Sequence, residues 1–93
     1  MELSAYLYII DGFLRGELSA EAFQTIYMAT FSKEYKGMDP ALFAILQDLF
    51  EDADAYSVLW TEADENEFCI TEPTLRREVI DSVEKLKAYQ ATR

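Results

Sequence analysis

Ten carboxylates crowd the middle of this chain with no cation among them. From Gly37 to Leu75 the sequence holds Asp39, Asp48, Glu51, Asp52, Asp54, Glu62, Asp64, Glu65, Glu67 and Glu72, and neither Lys nor Arg. The net charge of the 93 residues is −10; the flanks carry −2 and +2, so the middle third accounts for all of it. Carboxylates at this density suit three kinds of chemistry: acid–base catalysis, cation ligation, or recognition of a basic surface.

Catalysis lacks its usual equipment. The chain has no His, which removes the commonest general base and the Ser-His and Cys-His nucleophile pairs. No Gly-rich loop is present to cradle a phosphate. An enzyme here would run on carboxylates and Tyr alone, so no enzyme and no cofactor are expected. Cation ligation fares little better. A calcium loop begun at Asp52 puts Ser57 where the Gly is needed and Ala63 where the bidentate Glu is needed. One begun at Asp64 puts Cys69 at the Gly position. The cluster Asp64-Glu65-Asn66-Glu67 offers only nonspecific divalent binding, and no metal site is expected. Cys69, the single cysteine, has no internal disulfide partner and no cation beside it to activate the thiol. It reads as a small apolar packing residue.

Recognition is what remains. Charge runs commonly form solvated faces, but this one excludes every base and spans a helix end with the loop after it, so its members can converge. Clustered like charge destabilises a compact fold unless a partner neutralises it. A strongly basic partner is therefore expected, and a nucleic-acid-handling protein with a cationic substrate groove fits. The same acids would repel nucleic acid and anionic lipid, so neither is expected as a direct partner. Tyr56 and Trp60 lie inside the acidic zone, and the residues alone leave open whether they plug the core or anchor an interface.

The elements that position these groups are helices. Glu2 to Arg15 carries Leu3, Tyr6, Leu7, Ile10, Phe13 and Leu14 on one helical face, with Gly16 as a stop. Ser19 caps a second helix bearing Phe23, Ile26, Tyr27, Thr30 and Phe31, closed by Gly37. Asp39-Pro40 starts a third, with Leu42, Ile45, Leu46, Leu49, Phe50 and Ala53 inward, running to about Tyr56. Thr61 to Ile70 reads as a loop, extended over Glu67 to Ile70. Thr71 caps a last helix that buries Leu75, Val79, Ile80, Val83 and Leu86. Gly and Pro number only 3 and 2, too few for the turns of an all-β chain. The expectation is an all-α, four-helix antiparallel bundle in a single domain, up-down-up-down. The apolar run Leu3 to Ile10 lacks the basic flank of a signal peptide, and no stretch reaches the roughly 20 apolar residues of a membrane span. A cytoplasmic protein is expected.

Three blocks in order resemble one family. FLRGELSAEAFQTIYMATF resembles the Phe-Leu-x-Gly-x-Ile-Ser-Ala-x-x-Phe opening of the bacterial colicin D-type immunity family, with Leu18 where Ile is usual. LQDLFEDADAY is similar to its Asp-Leu-Phe…Ala-Tyr third helix. ITEPTLRREVIDSVEKL resembles its Ile-x-Glu-x-x-Leu-Arg…Val closing helix, with Pro73 where the family usually has an acid. The stretch Val58 to Asn66 matches nothing firmly. The family also includes immunity proteins of contact-dependent inhibition toxins. The resemblance implies a small helical bundle that binds a toxin domain and blocks its active site. In the colicin D branch that toxin cleaves tRNA in the anticodon loop, and acidic groups of the inhibitor stand in for RNA phosphates. Carried onto this chain, Asp48, Glu51, Asp52 and Asp54, then Glu62, Asp64, Glu65 and Glu67, would meet the toxin's basic groove. Tyr56 matches the family's Tyr in that region. The expected centre is Asp52, Asp54, Asp64 and Glu65, flanked by Tyr56 and Trp60, on a chain that is monomeric before it meets the toxin. The competing expectation is an acidic helical adaptor or dimerisation module with no toxin partner.

Overall fold

In the computed structural model, which describes residues 3–92, capping signals start two of the helices. Ser19 Oγ accepts from Ala22 N at 3.1 Å, and Asp39 Oδ2 accepts from Leu42 N at 3.4 Å with Pro40 behind it. Gly16 (φ 82°) and Gly37 (φ 78°) take the left-handed conformation that ends the preceding segments, where a side chain would be strained. The helices are α1 (Leu3–Leu14), α2 (Ala20–Glu34), α3 (Pro40–Ala55) and α4 (Glu72–Ala91), with a single 3-10 turn at Glu62–Asp64 among the described residues. Glu2, expected at the start of the first helix, lies outside the described residues. Two isolated bridges, Tyr56 with Ile70 and Asn66 with Cys69, are the only β-type pairings among the described residues.

Each helix packs chiefly on its two neighbours in a closed ring, α1 on α2 and α4, α3 on α2 and α4. The directions alternate: the end of α1 meets the start of α4 through Arg76, and Gln24 near the start of α2 meets the end of α3. This is the four-helix antiparallel bundle that the sequence leads one to expect. Its core is aromatic on one side and aliphatic on the other. Phe13 stacks on Phe23 (centroids 4.8 Å) and Phe23 on Tyr27 (5.5 Å), while α3 and α4 contribute Leu42, Leu46, Leu49, Leu75, Val79 and Leu86. Tyr27 satisfies its buried hydroxyl by donating to Leu46 O at 2.7 Å. Two expected core residues are corrected: Ile26 and Ile80 stand exposed. Each lies roughly 100° or more round its helix from the centre of the buried stripe, at 100° per residue.

Long-range polar contacts fix the helix ends. Arg76 Nη1 donates to Phe13 O (3.2 Å) and Leu14 O (3.4 Å), its guanidinium lies 4.4 Å over the Phe13 ring, and Nη2 pairs with Glu72 at 2.9 Å. The last turn of α1 is thus capped from α4. At the same end of the bundle, Gln24 Nε2 donates to Ala53 O (2.7 Å) and Tyr56 O (2.8 Å), and Ala55 O accepts from Ile70 N and Trp60 Nε1, both at 3.1 Å. The final carbonyls of α3 are therefore closed by a side chain of α2 and by the loop that follows. Gln24→Leu leaves Tyr56 O without its side-chain donor and Ala53 O with only its 3.3 Å bond from Tyr56 N. It should cost about 1–3 kcal/mol in urea unfolding, the usual penalty for such groups.

Candidate functional site

Because the end of α3 is closed in this way, the next residues fold back along the helix. Tyr56 pairs with Ile70, and the chain between them forms the 3-10 turn and a tight turn at Asn66–Cys69. That second turn is held by Asn66 N to Cys69 O (3.0 Å), Cys69 N to Asn66 O (3.4 Å) and Phe68 N to Asn66 Oδ1 (2.7 Å). It sets Phe68, 74 % exposed, and Glu67 against the last turns of α3. Between them runs a groove of about 400 Å³ whose walls include Glu51, Asp52, Asp54, Glu67, Phe50 and Phe68. Four of the acids singled out in the sequence thus share one surface concavity, and an aromatic ring stands at its edge. Val58 and Leu59 are exposed on the same loop.

The other candidates fall elsewhere. Glu65 is bonded at the start of α4, accepting from Thr74 Oγ1 (2.9 Å), Thr71 Oγ1 (3.2 Å) and Thr71 N (3.4 Å). The Thr74 hydrogen bond is the chief cause of a carboxyl pKa held below its ordinary value. Asp64 Oδ2 accepts from Thr61 N (2.9 Å) and Thr61 Oγ1 (3.1 Å) and so closes the 3-10 turn. These two acids build the loop. Tyr56 is 5 % exposed and belongs to the core, its hydroxyl pKa raised by burial and by Glu21 and Glu72. Trp60, 37 % exposed, is tethered through its indole N–H to Ala55 O. Glu62 is exposed, and Asp48 sits on the flank of α3 facing Lys85. Sequence reasoning missed Phe68: its single signal was an aromatic residue next to an acid in a segment without helical period.

Asp52 differs from its neighbours in the groove. Half-burial first, then the negative charges of Glu78, Asp48 and Glu51, together push its carboxyl up to about 6 against the opposing charge of Lys85. Lys85 itself is paired with Asp81 at 3.1 Å. Among the described residues no group of His, Cys, Asp and Glu is arranged to hold a metal ion. None of the described helices is long and apolar enough to cross a membrane.

Residues 1–86 match the family described as bacterial self-protective colicin-like immunity. The chain belongs to this family. No match was found among curated proteins or among solved structures. Membership of a colicin-like immunity family implies a toxin-neutralising protein that acts by binding a cognate toxin, in a family that is not catalytic in general. The matched span takes in α1 to α3, the residues of the acidic groove and most of α4.

Two predictions test the roles of these acids. Asp52 has a raised native pKa, so its ionisation opposes folding: the penalty is absent below the unfolded value near 3.8 and complete above about 6. Asp52→Asn should therefore stabilise the immunity protein at about pH 7.5 by about 1 kcal/mol, with screening of a half-exposed group allowed for, and lose that advantage below about pH 4 in thermal unfolding. Glu65 has the opposite sign. Its contribution is present above the ordinary value of 4.5 and is lost as pH falls through the lowered native one. Glu65→Ala should speed amide exchange in residues 61–74 at neutral pH while leaving that of α1 and α2 unchanged.

Proposed function

We propose that this immunity protein neutralises a nuclease toxin, of the tRNA-cleaving kind, by filling the toxin's basic active site with the acidic groove. The observation that supports this reading best is the convergence of Glu51, Asp52, Asp54 and Glu67 around Phe50 and Phe68. A nuclease must hold a polyanion, so its active site is cationic, and an anionic surface of matching shape competes with RNA for it. Complementary charge steers the encounter and fixes partner choice. Phe68, held on a hydrogen-bonded turn, gives the contact an apolar anchor that loses little entropy on binding.

Within this reading the expected acids take different parts. Asp54, Glu51 and Glu67 meet the toxin's cations directly. Asp52 joins them once a basic partner lowers the cost of its ionisation. Asp48 and Glu62 act from the rim, while Glu65 and Asp64 hold the loop in shape, with Tyr56 and Trp60 fixing its base. The resemblance to the colicin D-type branch and to contact-dependent inhibition systems favours a tRNA-cleaving toxin. The free protein is read as a cytoplasmic monomer, because two such grooves repel each other.

The test uses the cognate toxin domain. Asp54→Asn should cost about 2–5 kcal/mol in affinity if its partner charge is fully desolvated, whereas Asp48→Asn should change mainly association rate and salt dependence. Unchanged affinity of a Glu51→Gln/Asp54→Asn/Glu67→Gln variant at low salt would remove the groove from the interface. Loss of protection in cells expressing the toxin, with fold retained, is the expected companion result.

A further inference from the structure

A second groove adjoins the acidic one and has a different chemistry. It runs between the end of α2 and the middle of α3, is about 200 Å³ in volume, and is bounded by Phe31, Ser32, Tyr35, Phe43, Gln47 and Phe50. Gln47 and Phe50 line both grooves, so the two lie side by side along α3. Its rings form one contiguous cluster: Phe31 lies 5.7 Å from Phe43, 5.4 Å from Phe50 and 6.0 Å from Tyr35, and Tyr35 lies 6.4 Å from Phe43. Phe31 is buried beneath, while Tyr35 is 41 % exposed and Phe43 and Phe50 are half-buried.

The π faces of such a cluster carry partial negative charge and attract a cation, best a guanidinium, whose flat and weakly hydrated group stacks on rings. Acceptors lie beside them. Gln47 commits its Nε2 to Glu51 Oε2 at 3.1 Å, which leaves its Oε1 to accept, and the Ser32 hydroxyl is exposed. A purely apolar side chain would leave both acceptors unpaired, whereas an arginine can donate to them while its stem covers the rings. We propose that the aromatic groove walled by Tyr35, Phe43 and Phe50 seats an arginine side chain of the toxin. This rests on the reading that the partner is basic, and it extends the interface from the carboxylates along α3. The acidic groove accelerates encounter, and the aromatic one slows release.

The inference can be tested with and without the toxin. A short arginine-containing peptide, titrated into the isotope-labelled protein, should shift the amide resonances of residues 32, 35 and 47 saturably, and its lysine counterpart should shift them less. Tyr35→Phe keeps the ring and should keep the effect. Tyr35→Leu keeps apolar area without a π face and should weaken binding of the toxin domain about tenfold, through dissociation, with the salt dependence unaltered. Shifts confined to residues 51, 54 and 67, or a Tyr35→Leu variant that binds as well as the natural chain, would overturn the arginine slot and leave the acidic groove standing. Loss of toxin binding in the acid-neutralised variant alone bears on that groove and not on this one.

Discussion

A helix that stops at the surface leaves its last carbonyls without partners, and the way α3 solves this determines the rest of the site. Gln24 reaches across from α2 to close two of them, and Ile70 and Trp60 close a third from the returning chain. Buried or half-buried acceptors are costly when left unmet, so the loop is held against the helix end with the force of several hydrogen bonds at once. Release that clasp and Glu67 and Phe68 no longer face Glu51 and Asp54. The acidic groove is a consequence of helix termination.

The groove also shows where a binding protein carries electrostatic cost. Most exposed acids in this molecule are tolerated because water screens them. Asp52 is the exception: partly desolvated among Asp48, Glu51 and Glu78, it titrates near 6 although it belongs to a surface. Glu65 uses the same kind of group in the opposite sense, as a hydrogen-bonded anion at the start of α4 that strengthens the fold. Neighbouring carboxylates thus divide into those that build the scaffold, as Glu65 does, and those whose ionisation opposes it, as Asp52 does.

Aromatic residues separate along the same line. Tyr6, Phe13, Phe23 and Tyr27 are consumed by the core. Phe68 and Tyr35 are not, and both stand beside acids or amide acceptors on the α3 side of the bundle. The α3 side of the bundle therefore sets exposed acids beside exposed rings.

Much of this fold was legible in the residue order. Ser19, Asp39-Pro40, Gly16 and Gly37 mark helix ends through chemistry confined to a few neighbouring residues, and the 3.6-residue period exposes most of the core. Ile26 and Ile80 escaped because each is apolar and next in sequence to a buried residue, yet one position turns it roughly 100° away from the buried face. The charge asymmetry was legible from composition without any coordinates. Which acids act together was not readable. Gln24, Arg76 and Ile70 make their decisive bonds across 29 to 63 residues of chain or through a loop without period, and such contacts leave no local pattern. The sequence by itself determined four amphipathic helices and a cluster of negative charge. Only the tertiary structure decided that Glu51, Asp54 and Glu67 share a groove while Asp64 and Glu65 hold its wall, because position in space depends on how helix ends are closed from elsewhere in the chain.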